Sequence, residues 1–166
     1  MTMNIIEVKT DNQIKKVTEL ARIIWNEHYV PIIGQAQVDY MLERFQSFSS
    51  IKNSAKEGYV YYLFNEDNGD FGYMAIQLGH TKVFLSKWYI LKELRGKGYG
   101  KEAFDFVDTY CKDRGFDTVW LTCNKNNETG LKVYSRLGFK IVDEVKTDIG
   151  CGYVMDDYIL EKSLIN

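Results

Sequence analysis

The sequence predicts a mixed α/β fold, a sheet carrying helices on its faces. Three strand-like runs between residues 59 and 91, joined by short turns, read as an antiparallel meander. From about residue 98 onward, helical and strand patterns alternate instead. No repeat, low-complexity tract or linker interrupts the 166 residues, so the expectation is a single domain over 1–166.

Residues 4–9 alternate weakly and read as a first strand. Asp11 can then cap a helix that carries Ile14, Val17, Leu20, Ala21 and Ile24 at helical spacing and ends before Pro31, the only proline. A second helical pattern covers about 35–48 through Val38, Met41, Leu42 and Phe45, and a polar connection follows. Strand runs 59–64 and 71–76 flank an Asn68-Gly69 step, a hairpin signal because both residues tolerate positive φ. A turn at Gly79-His80 leads into a third strand, 83–91. Ala103, Val107, Tyr110 and Cys111 share one face of a helix that Gly115 closes. Residues 118–123 form a buried-type strand, 129–137 a short helix ended by Gly138, and 140–147 and 152–162 two final strands.

Composition excludes several classes of partner. Twenty-one basic against twenty-three acidic side chains give a net charge of −2, so no global positive field draws in nucleic acid or an anionic membrane. Cys111, Cys123 and Cys151 are odd in number, far apart and outside any CxxC spacing, which argues against a disulfide framework or a metal site and for a reducing compartment. With no run of about 18 apolar residues, the expected location is the cytoplasm.

The chemistry concentrates at Leu94-Arg-Gly-Lys-Gly-Tyr-Gly-Lys-Glu, three alternate glycines ahead of a helical pattern. A nucleotide P-loop needs Ser or Thr after Gly-Lys, whereas Gly96-Lys97 precedes Gly98 and Gly100-Lys101 precedes Glu102. A dinucleotide fingerprint matches Gly98, Gly100 and Ala103, but a polar stretch separates strand from glycine and no acid ends the next strand. The third pattern, Arg-x-x-Gly-x-Gly, is met by Arg95, Gly98 and Gly100. With Asn127, Tyr134 and Leu137-Gly-Phe at the expected distance beyond, the chain resembles the GNAT superfamily of acetyl-CoA-dependent N-acetyltransferases over about 82–142. The resemblance implies a mostly antiparallel, twisted sheet of about seven strands with helices on both faces.

A helix starting near Gly98 offers unpaired N–H groups and a positive dipole end, so the backbone of Gly96, Lys97, Gly98, Tyr99, Gly100 and Lys101 can bind a pyrophosphate. Arg95, Lys97 and Lys101 add positive charge. The resemblance further implies that pantetheine pairs with the main chain of Tyr89, Ile90 and Leu91, that Asn127 contacts acetyl-CoA, and that Tyr134 gives a proton to the departing thiolate. By itself, Tyr134 reads as a packed aromatic beside Leu131, Val133 and Leu137. Gly130, where relatives usually carry Ala, is expected to weaken the helix by up to ~1 kcal/mol without touching the chemistry.

Acceptor and base stay open at this level. The strand before the phosphate turn reads Phe84-Leu-Ser-Lys-Trp-Tyr-Ile and lacks the Glu that many relatives place there. Glu27, Asp156 and Asp157 are alternatives, as is an amine that binds deprotonated. His28 and His80 are too isolated for a triad, and Cys123 raises an acetyl-cysteine route against the blander reading of a small buried residue. Segments around 24–29, 37–46 and 152–158 resemble a bacterial branch that includes spermidine/spermine acetyltransferases. A small primary amine, first a polyamine, would find carboxylates and aromatic faces in Glu27, Tyr29, Trp88, Asp156 and Asp157, although strand alternation puts the two aspartates on opposite faces. Peptide or lysine amines, aminoglycosides and amino acids are the other acceptors, and a non-catalytic module that senses CoA is the rival of another class. The C-terminal strands leave an edge that suits a homodimer.

Overall fold

A computed structural model describes residues 3–67 and 69–165. Among them run β1 (Asn4–Glu7), α1 (Asp11–His28), α2 (Val30–Ile33), α3 (Gln35–Phe45), α4 (Phe48–Ser54), β2 (Tyr59–Glu66), β3 (Gly69–Leu78) and β4 (Lys82–Ile90). These are followed by α5 (Tyr99–Asp113), β5 (Thr118–Asn124), α6 (Glu128–Arg136), β6 (Lys140–Gly150) and β7 (Tyr153–Ser163). The strands hydrogen-bond in the order β1-β2-β3-β4-β5-β7-β6. The pairs β1-β2, β2-β3, β5-β7 and β6-β7 are antiparallel, and β4 and β5 run parallel as a helical crossover requires. The mixed α/β expectation therefore holds, while Asn68 of the predicted hairpin turn lies outside the described residues; Glu66 pairs with Gly69 across it.

Two local expectations change. Thr10, not Asp11, caps α1: its hydroxyl accepts from the Gln13 N–H at 3.2 Å while the Gln13 side chain accepts from the Thr10 N–H at 3.0 Å, a reciprocal box worth roughly 1 kcal/mol. Asp11 occupies the first turn, where its charge meets the positive dipole end. The helix expected over 35–48 divides at Ser47, whose hydroxyl accepts from the Ser50 N–H at 3.3 Å and starts α4. Serine at that position caps better than it propagates.

The chain clusters into two compact units, one running up to Gln77 and adding Ser86–Phe104, the other made of Leu78–Leu85 and everything from Asp105 onward. In the first, Val17, Ala21, Ile24 and Val38 of the helices and Leu63, Phe64, Phe71, Tyr73, Met74, Ala75 and Ile76 of β2 and β3 are almost completely buried. Each of the larger aliphatic and Phe side chains among them contributes about 1.5–3 kcal/mol. In the second, Val83, Val107, Cys111, Val119, Leu121 and Leu160 form the core. Along β5 the buried Val119, Leu121 and Cys123 alternate with half-buried neighbours, so a single face of that strand is packed. β6 is exposed from Lys140 to Asp143, carries five charged residues and forms the sheet edge, where charge discourages stray pairing. No helix among the described residues is long and apolar enough to cross a membrane.

Candidate active site

In the first unit, the chain leaves β4 and enters the glycine turn. Gly96 and Gly98 adopt φ of +76° and +90°, a region that a side chain rarely visits, and open space lies where their Cβ atoms would project. Gly100 is required for a different reason. A Cβ there would stand 3.2 Å from Cζ2 of Trp88, so this glycine seats α5 on β4. α5 begins at Tyr99, and the first-turn N–H groups of a helix have no carbonyl of that helix to bind. The Arg95 Nε donates to the Ile90 carbonyl at 3.0 Å and ties the turn to the strand end, while Lys97 and Lys101 are exposed. Tyr99 turns its side chain into the core, with its ring 4.7 Å from Phe71 and its hydroxyl 2.5 Å from Glu66, so only its main chain can serve a phosphate. An open, cationic turn whose alternate glycines leave the backbone uncovered, at a helix start, fits a pyrophosphate.

The strand end that precedes the turn is held by close backbone contact. Phe71 accepts from the Leu91 N–H at 2.9 Å, and a Cβ on Gly72 would lie 2.5 Å from the Tyr89 carbonyl oxygen. The side chains of Trp88 and Tyr89 point to opposite faces of the strand. Trp88, expected among the acceptor-facing residues, packs against Gly100 and Phe104 at the start of α5. Tyr89 instead joins Trp25, Tyr29 and Tyr73, with ring centroids 5.8, 6.2 and 5.5 Å away. Glu27, on the α1 turn beside this cluster, is exposed; His28 is half-buried with its ring 4.8 Å from Tyr29.

Lys87 is the residue that the sequence reading missed, although a lysine within an otherwise aromatic strand was a signal. Its amine donates to the Tyr61 hydroxyl and to the Phe45 carbonyl, 3.3 Å away, and has no carboxylate partner among the described residues. Burial lowers its pKa from 10.5 to about 8. The fold thus penalises the charged amine, fully below pH 8 and progressively less as pH rises to 10.5. That displacement is worth ~3 kcal/mol, against about 1 kcal/mol for each hydrogen bond lost on truncation. Lys87→Met is therefore expected to melt a few degrees above the wild type at pH 7, with the order reversing near pH 10. Melting curves whose difference does not change with pH would show that the amine is not desolvated.

In the second unit, β5 ends at Asn124 and α6 follows. Asn127 is buried at the α6 N-cap: its side-chain oxygen accepts from the Gly130 N–H at 3.1 Å and its own N–H donates to the Asn124 carbonyl at 2.9 Å. Gly130 proves tied to this residue, because a Cβ there would meet the Asn127 Nδ2 at 2.6 Å. The expectation that this glycine leaves the site untouched is corrected: it makes room for Asn127 over the helix. Tyr134 is half-buried on α6, its ring meeting Phe139 edge-on at 5.7 Å. Burial and the charge of Asp157 push the Cys123 thiol up to about 12, so at neutral pH it stays protonated and a poor nucleophile. His80 is exposed.

The two aspartates of β7 diverge as alternation requires. Asp156 pairs with Lys125 at 3.1 Å. Asp157 is buried opposite Asn124 of β5 and Val145 of β6, and burial, reinforced by Asp156, raises its carboxyl from 3.8 to about 6. Among the described residues, no group of three or more His, Cys, Asp or Glu side chains gathers as a metal site would require.

Comparison with known proteins assigns the class. The sequence profile of the acetyltransferase (GNAT) family matches residues 17–139, and the chain belongs to that family, whose enzymes use acetyl-CoA as co-substrate. A [ribosomal protein bS18]-alanine N-acetyltransferase of Haemophilus influenzae is 29% identical over 97 residues, 58% of this chain and 66% of that protein. An uncharacterised N-acetyltransferase of Mycobacterium bovis is 30% identical over 95 residues, 57% of this chain and 60% of its own length. The chain thus spans less than two thirds of these curated relatives. The crystal structure of PaiA N-acetyltransferase from Thermoplasma acidophilum in complex with coenzyme A superposes with a TM-score of 0.83 at 21% identity, covering 98% of this chain and 99% of that one. The ribosomal-protein-S18-alanine N-acetyltransferase of Escherichia coli does so with 0.73 at 13% identity, covering 98% and 94%. Both likenesses confirm the fold, a mixed seven-stranded sheet with helices.

Proposed function

We propose that this chain transfers acetyl from acetyl-CoA to a primary amine by direct attack in a ternary complex. The carrying observation is the open glycine turn at the α5 N-terminus, in a chain of the acetyltransferase family. The backbone from Gly96 to Lys101 holds the pyrophosphate, helped by the cations of Arg95, Lys97 and Lys101. The main chain of Tyr89, Ile90 and Leu91 pairs with the pantetheine arm, Asn127 contacts acetyl-CoA, and Tyr134 protonates the leaving thiolate. The protonated Cys123 supports direct transfer over an acetyl-cysteine intermediate.

For the acceptor, the observations support a peptide α-amine over the polyamine expected from sequence. A polyamine needs several available carboxylates, yet Asp156 is paired with Lys125, which leaves Asp157 as the one unpaired aspartate of β7 for a single ammonium. An α-amine, with an ordinary pKa near 8, also needs less help to lose its proton than a polyamine amine, near 10 like lysine. The 29%-identical relative named as an alanine N-acetyltransferase points the same way. The test is thiol release from acetyl-CoA with an Ala-initiated peptide, spermidine, an aminoglycoside and free amino acids. The peptide is expected to give the highest kcat/KM, by at least about tenfold over spermidine. Preference for spermidine would restore the polyamine, and CoA binding without turnover of any amine would make the chain a CoA-sensing module.

A further inference from the structure

We infer that Asp157 is the general base of the proposed reaction, taking a proton from the ammonium form of the acceptor. The inference rests on the acetyl-transfer reading above and starts from an anomaly. Asp157 is 4% exposed, yet among the described residues no donor hydrogen-bonds its carboxylate and no cation pairs with it. A buried carboxylate costs free energy unless it is satisfied. Its neighbour Asp156 shows the ordinary solution, a lysine at 3.1 Å. The Asp157 oxygens are not among the fully enclosed unpartnered atoms, so a buried, unpaired acid keeps its oxygens open to an incoming group, as a site for a substrate cation requires.

Position agrees. Asp157 lies opposite Asn124, the last residue of β5, and in open α/β sheets ligands collect at the carboxyl ends of strands. From Asn124 the chain passes directly into the Asn127 cap and the helix that carries Tyr134. Within this unit, the residues that pair with Asp157 and share its face are Asn124 on β5 and Val145 on β6, while Cys123 pairs with Tyr158 on the other face and feels Asp157 only through its charge. Glu144 and Lys146, on either side of Val145, point to the opposite face with Asp156 and Tyr158. Lys125 is taken up by Asp156 and Glu144. Nothing in this set neutralises the carboxylate, and its pKa near 6 leaves it ionised at neutral pH while making it a stronger base than a solvated aspartate.

The protons balance. The acceptor R–NH3⁺ gives one proton to the Asp157 carboxylate and becomes R–NH2. Its nitrogen lone pair forms the N–C bond to the acetyl carbonyl, and the C–S bond breaks. The thiolate takes the Tyr134 phenol proton, and the phenolate recovers one from the nitrogen, which is then an amide. Asp157 releases its proton to solvent, for a net yield of amide, CoA–SH and H⁺.

The test compares wild type with Asp157→Asn and Asp157→Glu in kcat/KM against pH, in CoA binding and in thermal melts. Wild type is expected to show an acid limb near pH 6. Asp157→Asn is expected to lose that limb and about 10²–10⁴-fold in kcat at pH 7, with CoA affinity unchanged and the deficit shrinking above the acceptor's own pKa. Asp157→Glu is expected to recover at least tenfold over Asn. Because the raised carboxyl pKa penalises the charged fold only above about pH 4, Asp157→Asn should melt higher than wild type at pH 8 and equally at pH 4. An Asn variant within threefold of an active wild type, with its acid limb intact, would overturn the Asp157 assignment alone. A wild type that turns over no amine would overturn the transferase reading together with it.

Discussion

Tyr134→Phe is expected to lower kcat by about 10²–10⁴-fold while the dissociation constant for CoA changes less than about threefold. The substitution removes one hydroxyl and keeps the ring, so the edge-on contact with Phe139 at 5.7 Å survives and stability should move by no more than about 0.5 kcal/mol. The rate effect follows from what a thiolate needs. An alkyl thiolate leaves a tetrahedral centre more readily when a proton reaches sulfur as the C–S bond breaks, and a phenol on α6 is the donor that the family pattern assigns. Single-turnover kinetics read the chemical step and calorimetry reads CoA binding. A variant with wild-type kcat would return Tyr134 to the other role it was given from sequence, a packed aromatic on an amphipathic helix. The double variant with Asp157→Asn adds a check: if both residues serve one proton ledger, its loss should fall well short of the product of the two single losses.

How far the sequence reaches is visible at particular residues. The glycine turn was legible because Gly96, Gly98 and Gly100 announce backbone conformation and close approach, both local properties. The structure divides their work: two glycines supply positive φ, and the third makes room for Trp88. Strands and helices were legible from periodicity, and errors fell where two local signals competed, as with Thr10 against Asp11 for one cap and Ser47 inside a helical pattern. Alternation alone separated Asp156 from Asp157, but nothing local says which of them is buried. That depends on β7 lying between β5 and β6, an order unrelated to chain order. Lys87 was hidden likewise: its lost charge partner is the combined result of Tyr61 on β2 and Phe45 on α3 enclosing an amine from β4. Gly130 looked like a mild helix defect until its neighbour three residues earlier was seen to occupy the space of a Cβ.

Gly72→Ala is expected to be the most damaging single-methyl change in the first unit, costing about 2–4 kcal/mol and weakening CoA binding by at least about tenfold. At Gly96 and Gly98 of the same unit an added methyl has somewhere to go: the space around a Cβ is open and the cost comes from φ alone. At Gly72 a Cβ would lie 2.5 Å from the Tyr89 carbonyl oxygen, 2.8 Å from the Phe64 ring and 3.2 Å from the Ile90 Cα. Two of those three atoms are backbone and cannot rotate aside, so β4 itself has to move. Overpacking of this kind typically costs 1–3 kcal/mol, and displacement of the hydrogen bond from the Leu91 N–H to the Phe71 carbonyl adds about 1. For a chain of 166 residues this corresponds to a fall in Tm of roughly 5–15 °C. The functional loss follows from which residues shift, because Tyr89, Ile90 and Leu91 are the stretch proposed to pair with the pantetheine arm. Melting and CoA titration on one sample separate the two effects. A variant that melts lower but binds CoA as the wild type does would keep the packing argument and refute the pairing of that strand with pantetheine.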